Sequence, residues 1–112
     1  MPHSPIDTHS FEALQANVGA DFVVTLVAAF AEEAPQLMAQ LRQAHADADA
    51  ERFETLAHTL KSNGVAFGAT RLAEAARRLE WQGPSAEAAA IDELSAELDA
   101  ALAALQTLAR RP

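Results

Sequence analysis

A histidine and a lysine stand one helical turn apart in the middle of the chain, at His58 and Lys61. At about 100° per residue, an apolar stripe forms at Phe53, Leu56 and Leu60. His58 points away from this stripe, which predicts an exposed imidazole, and a neutral imidazole nitrogen is a competent nucleophile. Lys61 would neutralise an anionic group, such as a phosphoryl, carried on the ring. An exposed histidine beside a lysine is nevertheless most often part of a solvated helix face, so the spacing alone does not decide.

The segments that must hold these side chains are predicted to be helices, because apolar residues recur every three or four positions through most of the chain. The pattern predicts helices over 10–17, 21–46 and 51–67, a fourth that Thr70 caps and Gly83 stops, and a fifth that Ser85 caps. Pro35, inside the second, is expected to kink it. We therefore predict an all-α fold, an antiparallel four-helix bundle with a short extra N-terminal helix. Residues 1–10 would be a flexible lead-in and residues 11–110 the bundle.

Length and composition fit a single folded domain. Of the 112 residues, 50% are hydrophobic, which suffices for a core, and no cysteine is present for a disulfide or a thiolate metal site. The most apolar run, 22–31, is short for a membrane span, and the N-terminus lacks the basic and apolar blocks of a signal peptide. We expect a cytoplasmic protein with no membrane association.

The charge of the chain bears on its partners. A net charge of −8 argues against nucleic-acid binding, which needs a basic face. Residues 52–80 carry five basic and three acidic side chains, so the rest of the chain is strongly acidic. Two interpretations stay open: an acidic surface with ordinary scatter, or a region that tolerates an anion on an otherwise acidic body.

The residues around His58 follow a specific order. Leu60 lies two positions after the histidine, Lys61 three after, the small residue Ser62 follows the lysine, and Gly68 lies ten positions after the histidine. This order resembles the signature of histidine-containing phosphotransfer (HPt) domains of bacterial two-component phosphorelays. The resemblance extends over nearly the whole chain, since the long second helix and the fourth helix also fit it.

The resemblance implies a role for each of these residues. His58 would be the phosphorylated nucleophile, and Lys61 would stabilise the phosphoryl group. Ser62 replaces the family's usual glycine and is small enough to let a partner approach. Val65 replaces a usually small residue and would either narrow access to His58 or contribute an apolar docking contact. We favour docking, together with Ser62 and Ala69.

Glu80 stands twenty-two positions after His58, where some family members have a glutamine hydrogen-bonded to the imidazole. Its carboxylate would orient the ring through the second ring nitrogen and favour the protonated form. Glu80 is otherwise plain surface, and the two interpretations stay open. Its neighbour Trp81 is expected to be a partly buried anchor at the end of the helix, and the alternative is an exposed side chain that contacts a partner.

The resemblance also implies the partners. A phosphorelay intermediate accepts a phosphoryl group from the aspartyl phosphate of a receiver domain and passes it reversibly to another receiver. The expected partners are therefore response-regulator receiver domains, a hybrid histidine kinase, or both. The receiver would supply Mg²⁺, so no cofactor or metal of the chain's own is expected. We expect a monomer.

Other functions fit the residues less well. In a histidine kinase an acidic residue follows the histidine, whereas Thr59 follows here, and the sequence has no nucleotide-binding region, so no autokinase activity is expected. A metal site would draw on His3, His9, His45 and His58, but no pair has the i, i+4 spacing of a helical clamp, and the first three are expected at the surface. The alternative that stays open is a non-catalytic helical adaptor that binds signalling partners without phosphotransfer.

Overall fold

The structure is a computed structural model and describes residues 4–110. Five α-helices account for most of these residues: α1 (Thr8–Val18), α2 (Ala20–Ala46), α3 (Ala50–Phe67), α4 (Thr70–Gln82) and α5 (Ala88–Ala109). A short 3-10 turn at Gly83–Ser85 joins α4 to α5. No strand occurs within residues 4–110, and the predicted all-α fold is confirmed.

Helices α2 to α5 form the four-helix bundle. α2 packs against α3 and α5, and α4 packs against the same two helices, so each helix has two neighbours. The connections between them are short, which makes consecutive helices antiparallel. The short helix α1 lies against α2 and α3, outside the bundle proper.

The inner faces of the helices share one apolar core, and within the described residues every buried side chain is apolar. Full burial of a large aliphatic or aromatic side chain contributes about 1.5–3 kcal/mol. The largest fully buried side chains are Ile6, Phe11, Val23, Leu41, Phe53, Leu60, Leu72, Leu79, Ile91, Leu94 and Leu105. Because this core fixes the rotation of α3, it also fixes which face of α3 meets solvent.

Helices α3 and α4 approach each other closely where Gly64 meets Ala73. A Cβ atom placed on Gly64 would lie only 2.9 Å from the backbone nitrogen of Ala73. A side chain at position 64 would therefore push the helices apart. The missing side chain lets the two backbones meet and sets the register between α3 and α4.

The start of the chain packs against the end of α3. Gly68 ends α3 with φ +74°, a left-handed conformation that favours glycine, and its carbonyl accepts a 2.7 Å hydrogen bond from the Asp7 backbone N–H. Ile6 is 1% exposed, and α1 begins at Thr8. The prediction of a flexible lead-in was wrong for residues 6–10, because one buried isoleucine is too short a pattern to read from sequence. Residues 1–3 of that predicted lead-in lie outside the described residues.

Two helix caps differ from the sequence prediction. α4 begins at Thr70 itself, after Ala69, and has no side-chain cap. Ser85 lies in the 3-10 turn, where its hydroxyl donates to the carbonyl of Gln82, and α5 begins three residues later. Proline and glycine in this connection favour the tight turn over an immediate helix start. α2 runs as one helix through Pro35.

Trp81 is 87% exposed, so the prediction of a partly buried anchor was wrong. On α4, Leu79 takes the position that faces the core and Glu80 the position that faces α3. The next residue is rotated by about another 100° and therefore faces outward. Trp81 contributes little to the core.

We expect Trp81→Ala to change the free energy of unfolding by less than about 0.5 kcal/mol, as for other exposed positions. Tryptophan emission should be nearly the same in the native and denatured protein, because the indole is hydrated in both. Chemical denaturation of the variant and emission spectra of the unmodified chain check this. A strongly blue-shifted native spectrum would contradict the exposed placement.

The apolar helix α2 meets the length and composition criteria for a membrane span. Such a helix alone is weak evidence, because the core helix of a bundle meets the same criteria. About a third of its apolar window, 33%, is buried inside the structure, and α2 packs against both α3 and α5. Val23, Val27 and Phe30 lie in the core of the bundle, whereas Phe22 and Val24 are 52% and 48% exposed.

Candidate functional site

His58 projects from the middle of α3 on the face opposite the core. Its side chain is 59% exposed, whereas Ala57 and Leu60 on either side of it are fully buried. The core-facing stripe of α3 thus turns the imidazole outward, as its spacing predicts. The ring is open to a partner while its backbone is held by a rigid helix.

Glu80 reaches the imidazole from the neighbouring helix. Its Oε2 lies 2.8 Å from Nδ1 of His58. Because an ionised carboxylate only accepts hydrogen bonds, Nδ1 is the protonated ring nitrogen and donates to it. The close approach at Gly64 brings α4 near enough for this contact. Of the two interpretations of Glu80, the geometry matches a residue that orients the ring.

Lys61 binds the other oxygen of the same carboxylate. Its Nζ lies 2.6 Å from Oε1 of Glu80, and the two side chains are 29% and 22% exposed. The hydrogen bond from Lys61, reinforced by that from His58 and opposed by partial burial, holds the pKa of Glu80 below its usual range. One carboxylate therefore joins the imidazole and the lysine into a compact triad, His58–Glu80–Lys61.

The lowered pKa of Glu80 predicts a pH dependence of stability. A carboxyl whose pKa is lower in the folded state stabilises the fold above its unfolded-state pKa, and that stability is lost as the pH falls through the folded-state value. We expect unmodified protein to lose more unfolding free energy than Glu80→Gln between about pH 6 and about pH 3. Denaturant titrations at both pH values measure this. Glu32→Gln, which removes an exposed carboxyl on α2, is the matched control for the loss of one negative charge.

The three predicted docking residues do not share one surface. Ser62 is exposed one turn after His58, and Val65 is 67% exposed two turns after it on the same side of α3. Ala69 is completely buried, so its prediction as a docking contact was wrong. It precedes α4 in the tight connection between the helices, where its small side chain packs into the core.

Most of the basic side chains in 52–80 are paired with carboxylates. Besides Lys61, Arg71 pairs with Glu97 at 2.8 Å, and Arg77 with Glu74 at 2.6 Å. Arg78 likewise pairs with Glu93. Because these ion pairs neutralise the local excess of positive charge, residues 52–80 do not form an open basic patch. Lys61 is the cation placed beside the imidazole.

The other histidines lie apart from the triad. Within the described residues no three His, Asp or Glu side chains are placed to hold a metal ion. His9 is exposed on α1, and His3 lies outside the described residues. His45 is half-buried, and its Nε2 lies 2.8 Å from the carbonyl oxygen of Ala86, so the surface prediction for His45 was wrong. It ties the end of α2 to the turn before α5.

Sequence reasoning missed the ion pair between Lys61 and Glu80. The sequence pattern placed Lys61 near His58 and Glu80 near His58, but it did not place Lys61 and Glu80 in contact with each other. The only signal was their separation of 19 residues across a helical hairpin. That spacing becomes a contact only when the register between α3 and α4 is known, and the register depends on the close approach at Gly64.

One comparison with known proteins gives a match. A family model described as Hpt domain matches residues 25–107, which include most of α2, all of α3 and α4, and nearly all of α5. No curated protein and no solved structure gives a significant match. The matched region contains the whole triad and more than half of the chain. Hpt domains take part in histidine phosphotransfer in phosphorelays and generally interact with receiver domains and kinases. The chain therefore belongs to the Hpt-domain family.

Proposed function

We propose that this chain is a phosphorelay intermediate that accepts a phosphoryl group on His58 from the aspartyl phosphate of one receiver domain and returns it to another. The observation that carries the proposal is the hydrogen bond between His58 Nδ1 and Glu80. In the neutral ring, a proton held on Nδ1 leaves the lone pair of Nε2 available as the nucleophile. The exposed ring lets that nitrogen reach a phosphoryl group on another protein.

The partner supplies what the triad lacks. Transfer from an aspartyl phosphate needs carboxylates and Mg²⁺ to neutralise charge on the moving phosphoryl group, and receiver domains carry both. His58 is exposed on the surface of a helix, so the chain contributes one half of an active site that a receiver completes. We expect this exchange to take place in the cytoplasm. We also expect the chain to act as a monomer when it meets its partners.

The direct test is incubation of the chain with a panel of phosphorylated receiver domains and Mg²⁺. Phosphohistidine is expected as label that survives base and is lost in acid. Label on this chain, recovered again on a second receiver, supports the proposal. Receivers that bind without labelling the chain would favour the adaptor alternative instead.

Lys61 has a testable part in the transfer. We expect Lys61→Ala to slow phosphoryl transfer about tenfold to a hundredfold, because a hydrogen bond to a charged group is worth about 1.5–3 kcal/mol. Unfolding free energy should fall by less than about 1 kcal/mol, the upper range for an ion pair near the surface. Single-turnover transfer rates and denaturant titrations measure the two effects. Arg77→Ala, which removes another paired cation nearby, should transfer at the normal rate; equal rates for both variants would remove Lys61 from the mechanism.

A further inference from the structure

An open cleft of about 560 Å³ lies where α4 meets the start of α5. The indole of Trp81, which is 87% exposed, lines the cleft from α4. Glu87, the residue before α5, lines it together with Ala89, Ala90 and Glu93. The short side chains of the two alanines leave room in the cleft. An aromatic ring and two carboxylates thus line one space that is open to another protein.

Trp81 and Glu87 have no partner elsewhere in residues 4–110. Within that range, no cation and no second ring lies against the indole, and the carboxylate of Glu87 makes no hydrogen bond or ion pair. The face of an indole attracts cations through its quadrupole, and a carboxylate attracts them through its charge. Two groups that favour the same kind of ligand are therefore left open in one cleft.

The other charges at the cleft do not reverse this preference. Glu93 pairs with Arg78 at 3.2 Å, so these two side chains largely neutralise each other. The backbone N–H groups at the start of α5 carry about half of an elementary positive charge, which the full negative charge of Glu87 outweighs. Helix α5 itself has four acidic residues and no basic one. The cleft therefore repels anions and attracts cations.

Among basic side chains, arginine fits this cleft best. Its planar guanidinium stacks on an indole and donates to a carboxylate at the same time, whereas lysine presents a point charge without a flat face. Trp81 directly follows Glu80, whose carboxylate contacts His58. Because a helix with its side chains is about 10–12 Å across, a protein that covers His58 and crosses α4 reaches the cleft.

We propose that the cleft binds an arginine side chain of the receiver domain, with the guanidinium stacked on Trp81 and hydrogen-bonded to Glu87. This inference rests on the proposed function. The contact lies on the α5 side of α4, away from His58, so it strengthens docking and takes no part in the transfer of the phosphoryl group. Receivers with an arginine at the matching place exchange at lower concentrations than receivers without one, so the cleft selects among partners.

The first experiment measures single-turnover transfer at increasing concentrations of the phosphorylated receiver that labels the chain fastest. We expect Trp81→Ala and Glu87→Gln each to raise the half-saturating receiver concentration about twofold to tenfold, the effect of losing an exposed cation–π contact or ion pair. The maximal rate should not change, because the reacting groups are untouched. Asp99→Asn removes an exposed carboxylate of α5 outside the cleft and should leave both values unchanged. Equal half-saturating concentrations for Glu87→Gln and Asp99→Asn would overturn the inference.

The second experiment tests arginine without any receiver. The probe is acetyl-arginine amide, and its uncharged match is acetyl-citrulline amide, which has nearly the same shape. Because Trp81 is the only tryptophan, its ring protons give distinct NMR signals. We expect intermolecular NOEs between these protons and the methylene groups of arginine, and none with citrulline. NOEs with both probes, or with neither, would overturn arginine as the occupant.

The two experiments also separate this inference from the proposed function. If arginine contacts the indole but no receiver labels the chain, the proposed function fails, and the receiver as the occupant fails with it. If receivers label the chain with unchanged half-saturating concentrations in both variants, only the inference fails. Trp81→Ala and Glu87→Gln change exposed side chains, so both variants should fold, and denaturant titrations check this.

Discussion

His58→Gln is expected to accept no detectable phosphoryl group from any receiver domain. Glutamine has no ring nitrogen with a free lone pair, so the nucleophile is lost while the size and polarity of the side chain are kept. The fold should survive, because the imidazole is 59% exposed and glutamine is a good helix former. A change in unfolding free energy below about 1 kcal/mol is expected for such a surface position. Acid-labile label after incubation with phosphorylated receivers and Mg²⁺ is the measurement.

The matched control is His9→Gln, which changes an exposed histidine on α1 and should leave labelling intact. Equal labelling of His58→Gln and the unmodified chain would place the phosphoryl group elsewhere and end the assignment. If receivers bind both forms but label neither, the chain is an adaptor and His58 is an ordinary surface residue. The two functions thus separate in a single experiment.

Gly64→Val is expected to destabilise the protein by about 1–3 kcal/mol, the usual cost of forcing extra atoms into a packed site. The sign of this change in unfolding free energy is informative. At an open helix position, replacing glycine by valine stabilises the protein by about a few tenths of a kcal/mol, because valine has the higher helix propensity. Here the new Cβ would meet the backbone of Ala73 at 2.9 Å. By moving α4 away from α3, it should also lengthen the contact between Glu80 and His58 and slow phosphoryl transfer.

Ala66→Val is the control for this change. Ala66 lies two residues further along α3 and is exposed, so valine there costs at most its lower helix propensity, about 0.7 kcal/mol. Thermal unfolding and transfer rates are measured on both variants. If Gly64→Val proves as stable as the unmodified chain, the close approach of α3 and α4 does not set the geometry of the triad.

The helical fold and the exposure of His58 could be predicted from sequence because both follow from periodicity within one helix. The apolar positions of α3, among them Phe53, Leu56 and Leu60, alternate in steps of three and four, and the imidazole is left on the opposite side. Such a pattern needs no knowledge of neighbouring helices. The same holds for α5, whose seam from Ile91 to Leu105 is buried as its spacing indicates.

What could not be predicted depends on contacts between elements. Ala69 has a small side chain and lies next to a glycine, which suits an exposed connection, yet it is buried where α3 and α4 meet. Trp81 has the large apolar ring expected of an anchor, but its position on α4 turns it to solvent. The link between Lys61 and Glu80 likewise depends on helix register, which a single close approach determines.

The three side chains of the triad all lie between residues 58 and 80, within one helical hairpin. A gene segment encoding fewer than half of the residues therefore encodes all three side chains of the triad. Helices α1, α2 and α5 contribute buried residues to the apolar core that supports the hairpin. In evolutionary terms, the exposed faces of those helices can diverge without changing any residue of the triad.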